Sequence, residues 1–375
     1  MIEPSVKIRS ISTYDLAAIE EAVGQWFAEL KDSKLNRAKR VLIKPNTLGA
    51  YPPERAVCTH PVVIEAVIRY FLSRKKEVWV GDSPGGSVNV QSVWQTCGWQ
   101  DLAERYPIKL VNLSTAGFKE YTYQGIPVKV SDVLSQCGIV VNIAKYKTHS
   151  LMAYTGALKN LYGLVPGMVK SDYHRLYPDT TSFARLLVAL YQITKPKINY
   201  SIIDGIVGMD GAGPSAGNPR NFGLLMGSSS ISALDYIASQ MMGFKLAQVP
   251  YLSDALQADG ILPSRISVPQ SFQHYRLDNP DIRIARLSTD ILRYVPRAVR
   301  HVFNKVYYYY PVISERCRKC GICVKSCPVK AISWQESGFP KVDKDTCIKC
   351  MCCHELCPHQ AVDIHKSFIA KRVMR

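Results

Sequence analysis

Cys317, Cys320, Cys323 and Cys327, followed by Pro328, recur as Cys347, Cys350, Cys353 and Cys357, followed by Pro358. Thiolates are soft ligands, and four of them so closely spaced suit iron–sulfur chemistry. The short gaps let backbone amides wrap the sulfides, and each proline stops its tight loop from continuing as helix. A disulfide framework is a poor account of a chain of 375 residues without a secretory signal. Zinc sites rarely use three cysteines two apart in tandem. Two cubane clusters are therefore expected. Cys352 lies within the second run, but only Cys353 keeps the two-residue gap after Cys350, so Cys352 reads as a bystander thiol.

The repeated C-x2-C-x2-C-x3-C-P run resembles that of bacterial ferredoxins, in which the fourth cysteine of each run ligates the other cluster. The resemblance implies one 4Fe–4S cube on Cys317, Cys320, Cys323 and Cys357, and a second on Cys347, Cys350, Cys353 and Cys327. Exposed clusters are damaged by oxygen, which points to a reducing, anaerobic, cytoplasmic setting.

The chain is long enough for a sizeable core and a small appendage. Residues 1–9 are polar and show no apolar signal region, and no apolar run is long enough to span a bilayer. The formal charge is +17. Two thiolate-ligated cubes would remove about four units of it. Residues 311–375 hold 12 Lys and Arg against 6 Asp and Glu, so part of the excess surrounds the clusters. No nucleic-acid-binding motif accompanies the charge, so nucleic acid is not an expected partner. A redox donor or acceptor protein, a small anionic substrate or a membrane face suits it better.

Three segments are expected: an α/β domain over residues 1–275, a basic linker helix over 276–310, and a small α+β bacterial ferredoxin-like domain over 311–375. In the first, apolar strands alternate with helical patterns, the mark of a largely parallel sheet with flanking helices. Strands are predicted at Val6–Ile11, Arg40–Ile43, Glu77–Val80, Ile139–Ile143, Tyr200–Ile203 and Phe222–Met226. Helices are predicted at Tyr14–Leu30, Pro61–Leu72, Phe183–Ile193 and Ile231–Met242, the last capped from the Ser228–Ser230 run and ended by Gly243. A hairpin is expected at Tyr121–Val130, turning at Gly125. Residues 283–310 combine arginines with an apolar stripe. They read as a helix packed on one domain, or as a peripheral contact with an anionic membrane.

Parallel sheets bind ligands at the carboxyl ends of their strands. Four loops expected there carry unusual chemistry. Lys44 and Asn46 follow the second strand, and Asp82 opens the Gly81–Ser87 segment after the third. Lys145, Lys147 and His149 follow Ile139–Ile143, with Lys159 soon after. Asp204 and the Gly211, Gly213 and Gly217 segment follow Tyr200–Ile203. The glycines allow close backbone approach and present amides to anions. Neither glycine segment is a P-loop or a dinucleotide fingerprint. Lys44, Asn46, Asp82, Gly211, Gly213 and Gly217 are candidates for holding a ligand or cofactor. Lys145, Lys147, His149, Lys159, His174 and Asp204 are candidates for catalysis, the lysines clamping an anion and a histidine delivering a proton. Cys58, Cys97 and Cys137 read as buried small hydrophobes.

Lys44-Pro45-Asn46, Val80-Gly81-Asp82, Lys145–His149, Gly156–Gly163, Asp204-Gly205, Gly211–Gly217 and Ala233-Leu234-Asp235 resemble uncharacterised iron–sulfur-centre proteins. In that family a domain of unknown function, family number 362, is joined to a C-terminal double-cluster ferredoxin. The resemblance covers nearly the whole chain except the segment around 283–310. It implies a fold and two clusters, but no reaction.

Two functions fit these features. In the first, the clusters relay single electrons to a site in the α/β domain for reduction of a carboxylate- or phosphate-bearing substrate. A flavin or metal would then be an additional cofactor, although no flavin motif is visible. In the second, the protein is a non-catalytic docking module that delivers electrons to a partner complex.

Overall fold

The computed structural model of the protein describes residues 3–30, 32–268, 275, 279–282 and 308–369. The basic linker at 276–310 and its amphipathic stripe lie almost wholly outside the described residues.

The strands of the large domain are β1 (Lys7–Ser10), β2 (Arg40–Pro45), β3 (Glu77–Asp82), β4 (Ile108–Asn112), β5 (Phe118–Tyr123), β6 (Ile126–Ser131), β7 (Ile139–His149), β8 (Ala153–Thr155), β9 (Tyr200–Asp210) and β10 (Asn218–Ser228). Eight of them form one sheet in the order β1-β10-β9-β7-β2-β3-β4, with β8 paired to β7. The β9-β7-β2-β3-β4 ladder is parallel throughout, while β10 is antiparallel to both β9 and β1. From β2 the chain winds outward through β3 to β4, and from β7 it winds the other way to β9. The switch in direction therefore falls between β2 and β7, where open parallel sheets leave a crevice at their strand ends.

Alternation along each strand builds a core on both faces of the sheet. Ile139, Val141 and Ile143 pack with the helices Leu16–Glu29 and Pro61–Leu72. Val140, Ala144 and Tyr146 pack on the other face with the helices Thr180–Thr194 and Ile231–Met241. Local signals set the helix starts. Asp15 Oδ1 accepts from Ala17 N at 2.9 Å, Asp179 Oδ1 accepts from Thr181 N and Ser182 N at 3.0 Å, and Pro61 stands at a first helical position. Ser230 holds the N-cap position of Ile231–Met241 without a side-chain cap of its own, and Gly243 follows the helix at φ +88°. The expected hairpin is present as β5 and β6, turning through Gln124 and Gly125.

Two strands run further than their apolar residues suggest. β7 continues through Lys145, Lys147 and His149, and β9 continues through Asp204 to Asp210. These residues are on strands and not, as their polarity suggests, in loops. The ladder carries them, because β7 stays paired with β9 through Lys147 and then with β8 through His149.

The small domain consists of β11 (Tyr309–Ile313), β12 (Ile332–Trp334), β13 (Pro340–Val342) and β14 (Val362–Lys366), with short helices at Ile322–Ser326 and Cys352–Leu356. β11 pairs with β14 and β12 with β13. It seats on the carboxyl ends of the large sheet. Ser87 N donates to Ser326 Oγ at 3.1 Å, Tyr51 Oη to Glu355 O at 3.2 Å, and Gln360 Nε2 to Ser215 O at 3.5 Å. Gly85 and Gly86 allow this approach. A Cβ on Gly85 would lie 2.6 Å from Leu356 Cδ2, and one on Gly86, which sits at φ +62°, would lie 2.6 Å from Leu356 Cδ1. Gly86→Ala is therefore expected to loosen the small domain, at a cost of about 1–3 kcal/mol. Faster hydrogen exchange at residues 352–356, with iron content retained, is the readout.

Candidate functional site

The thiols group as the ferredoxin resemblance implies. Cys317, Cys320, Cys323 and Cys357 line one space, and Cys327, Cys347, Cys350 and Cys353 line another, which Cys352 also borders. The halves repeat at a spacing of thirty residues. Lys319 N donates to Cys317 Sγ and Lys349 N to Cys347 Sγ, both at 3.4 Å; Ala331 N donates to Cys327 Sγ and Ala361 N to Cys357 Sγ, both at 3.2 Å. Left-handed backbone at Lys319 and Lys349, at Gly321 and Met351, and at Lys330 and Gln360 turns these amides toward the sulfurs. Eight thiols around two enclosed spaces, with amides aimed at their sulfurs, fit two cubes. Anaerobic iron analysis is expected to give about eight irons per chain. Cys352→Ser should keep them, while Cys353→Ser should lose those of the second cube.

At the same carboxyl ends of the sheet's strands, two lysines and two aspartates pair across neighbouring parallel strands. Lys44 Nζ on β2 lies 2.8 Å from Asp82 Oδ1 on β3, and Lys145 Nζ on β7 lies 2.7 Å from Asp204 Oδ2 on β9. All four are buried. Buried charges persist when paired and hydrogen-bonded, and both pairs are. Asp82 Oδ2 accepts from Thr47 N at 2.8 Å, and Asp204 Oδ2 accepts from His60 N at 3.0 Å. Tyr14 Oη, stacked on His60, receives a hydrogen bond from Lys145 Nζ at 2.9 Å. The Lys145–Asp204 pair is thereby enclosed away from the other candidates.

Those other candidates converge. Between β2, β7 and the helix Cys352–Leu356 lies a cavity of about 720 Å³, its open mouth included. Lys147, His149, Lys159, His174, Asn46 and Asp82 line it, as the sequence suggests they could. Thr155, Lys170, Cys352 and Glu355 also line it, without any sequence signal that singles them out. Of the glycine-rich loop only Pro214 reaches the wall. A Cβ on Gly213 would lie 2.6 Å from Thr148 Oγ1, one on Gly217 would lie 2.7 Å from Met209 Cγ, and Gly211 turns at φ +75°. These glycines serve close packing on β7 and β9.

The cavity is cationic and its hydrogen-bonding polarity is fixed. Lys147 Nζ donates to Val57 O at 2.6 Å, and burial lowers its pKa to about 7. Lys170 Nζ donates to Ser83 O and Pro84 O, and burial likewise lowers its pKa to about 7. Lys159 makes no hydrogen bond or ion pair among the described residues; its Nζ stands 6.0 Å from the Tyr162 ring centroid. Glu355 is the facing carboxyl, raised by burial to about 7. His149 Nδ1 accepts from Leu151 N at 3.1 Å and Met152 N at 3.3 Å, which assigns its proton to Nε2. Burial holds this imidazole well below its ordinary pKa, so it is a neutral donor. Its Nε2 stands 3.5 Å from Glu355 Oε1 without a hydrogen-bond partner. Burial holds His174 neutral as well, at about 3, stacked on Phe183.

A relay of amides fixes the opposite polarity. Asn142 Nδ2 donates to Ala157 O at 2.9 Å, Asn160 Nδ2 to Asn142 Oδ1 at 2.8 Å, and Asn46 Nδ2 to Asn160 Oδ1 at 3.0 Å. Asn46 Oδ1, at the end of this relay, is a buried acceptor with no partner, and Thr155 Oγ1 is also unpartnered. Buried polar atoms are normally satisfied. Asp82 Oδ1, also on the wall, is met by the Lys44 ammonium, and the orphans on Asn46, His149 and Thr155 fit a bound polar anion.

Residues 41–240 match the family described as a domain of unknown function (DUF362), and residues 316–370 match a 4Fe-4S dicluster domain. The chain belongs to the DUF362 family and carries a C-terminal iron–sulfur electron-transfer domain. It is similar to a thylakoid-associated protein of Synechocystis sp., with 28% identity over 272 residues, covering 72% of this chain and 83% of that protein. Among solved structures, it is similar to the lactate racemase apoprotein of Thermoanaerobacterium thermosaccharolyticum, with 12% identity, a TM-score of 0.41 and 64% of this chain covered. A protein from Thermotoga maritima gives 13% identity, a TM-score of 0.39 and 65% of this chain covered. The chain spans 57% and 59% of the length of those two structures. Among the described residues, no helix is long and apolar enough to cross a membrane.

The depressed lysines give the cavity a testable pH dependence. An anion binds the ammonium form, whose pKa in the free protein is about 7 for Lys147 and Lys170. Binding raises those pKa values, so it takes up protons above pH 7 and is proton-neutral well below it. Anion affinity should be flat at acidic pH and fall above neutrality by about tenfold per pH unit for each lysine involved, with the ionisation of Glu355, at about 7, adding to the fall. Calorimetry in buffers of different ionisation enthalpy, with sulfate, which does not titrate in this range, as the probe, measures the uptake.

Proposed function

We propose that this cavity is the active site of an oxidoreductase in which cluster electrons reduce a small anion. The observation that carries the reading is Cys352, which borders the cavity on one side and the space of the second thiol set on the other. One side chain thus separates a cationic ligand site from a redox centre. When bound, the clusters supply single electrons at low potential. Two clusters together hold the two electrons of a hydride-level reduction, so the reading requires no flavin. A metal in the large domain is not supported either.

The chain's own residues then have distinct tasks. Lys147, Lys159 and Lys170 hold the carboxylate or phosphate. His149 Nε2–H and Thr155 orient it, and Asn46 Oδ1 selects a ligand that also carries a hydrogen-bond donor. Lys147 and Lys170, with pKa values near neutrality, are the groups suited to deliver protons. Lys44–Asp82 and Lys145–Asp204 neutralise each other and lock β2, β3, β7 and β9 in place around the cavity.

The name of the Synechocystis relative, together with the basic, apolar-striped segment 283–310, supports peripheral contact with an anionic membrane surface.

Lys159→Met tests the active-site reading. The substitution removes a charge that no protein group satisfies, so the ligand-free protein should keep its iron and its melting temperature, or melt slightly higher. Affinity for the anion that co-purifies anaerobically, identified by mass spectrometry, should fall about ten- to a hundredfold, the worth of a charge-assisted hydrogen bond. Unchanged ligand retention and turnover at matched iron content would sink the reading.

A further inference from the structure

The two thiol sets face different surroundings. Cys352, which borders the second set's space, is buried against the large domain, whereas Cys320 of the first set is exposed. The loop that bears Cys317 and Cys320 also exposes Arg318 and Lys319. Beside it, the β12–β13 hairpin holds Trp334 at 47% exposure and Phe339 at 39%. These parts form one surface. Trp334 Cζ2 packs so close to Gly321 that a Cβ there would come within 3.3 Å, and Lys319 Nζ lies 4.3 Å from the Phe339 ring centroid. Large aromatics left in water next to a redox centre call for a partner. Exposed aromatics beside two exposed cations, Arg318 and Lys319, are also the composition of an interface hot spot for an acidic surface.

We infer that Trp334, Phe339, Arg318 and Lys319 form the docking site for a small acidic electron-carrier protein, which passes single electrons to the first thiol set's cluster. The transfer balances by itself: the carrier loses one electron, the cluster gains one, and no bond or proton moves. Residues 311–375, with 12 Lys and Arg against 6 Asp and Glu, keep a positive balance after the clusters remove about four units, which complements such a carrier. Electrons then enter at the exposed set and leave at the buried one, beside Cys352. The assignment of entry and exit rests on the cavity being the site served, but docking itself can be tested without any reaction in the cavity.

Anaerobic full-length holoprotein is mixed with a reduced, acidic flavodoxin as the probe, and both binding and bleaching of the cluster absorbance are followed. The wild-type association rate should fall steeply with added salt, as electrostatically steered encounters do. Lys319→Glu should lower it about tenfold at low salt, with a comparable loss of affinity. Trp334→Ala should weaken binding severalfold with the salt dependence preserved. Iron content and reduction by dithionite should match wild type in both variants. Should Trp334→Ala lose iron, Phe339→Ser provides the same test on the same patch. Lys197→Glu, on the exposed surface of the large domain, should change nothing. The inference is overturned by a salt-independent rate, by equal losses in Lys197→Glu and Lys319→Glu, or by variants that bind as wild type. It is also overturned if Trp334→Ala instead abolishes a concentration-dependent self-association, since a second copy would then own the patch.

Discussion

The short helix Cys352–Leu356 is pressed against the carboxyl ends of β2 and β7, and the rest of the site depends on that contact. Without it the large domain presents a basic crevice open to water, and the small domain is a free-standing electron carrier. With it, water is restricted, the lysine ammonium groups are destabilised by burial, and a side chain of the thiol-bearing helix becomes part of the ligand's wall. The contact is possible because Gly85 and Gly86 have no side chain where Leu356 and Ser326 must sit.

Two kinds of buried lysine follow from this arrangement. Lys44 and Lys145 meet aspartates across the ladder and are structural cations, fixed where parallel strands end. Lys147, Lys159 and Lys170 meet only carbonyls, the Tyr162 ring and a carboxyl that is itself raised by burial. Uncompensated charge under cover opposes folding, and it is tolerated best where a ligand completes it. The fixed donor at His149 and the fixed acceptor at Asn46 sharpen the point, since each is held by bonds that leave one specific atom unsatisfied. In water such atoms need no partner; in this cavity they define one.

The asymmetry of the small domain extends the same logic outward. Its two halves repeat bond for bond in how their amides meet sulfur, yet one half is covered by the sheet and the other faces solvent with exposed aromatics. Symmetric chemistry is thus placed in asymmetric surroundings.

The cluster ligands were legible in the sequence because their chemistry is local: spacing within a few residues decides which thiols can surround a cube, and the proline ends each loop. Four of the five strands of the parallel ladder were legible for the same reason, as apolar runs; β4, Ile108–Asn112, in which Lys109 interrupts the apolar residues, was not. Lys147, His149, Lys159, His174, Asn46 and Asp82 were recognisable as unusual residues near strand ends. That β7 and β9 continue through their polar residues was not, because pairing with neighbouring strands, not propensity, extends them. Nor could spacing tell that Lys145 and Asp204 find each other, that the Gly81–Ser87 segment approaches a protein helix instead of a phosphate, or that Lys170 and Glu355 share one cavity. Those outcomes are long-range: they depend on which strands lie side by side and on where a second domain comes to rest. Residue type set the possible chemistry, and burial, which only the packed chain creates, decided which charges are paired and which wait for a ligand.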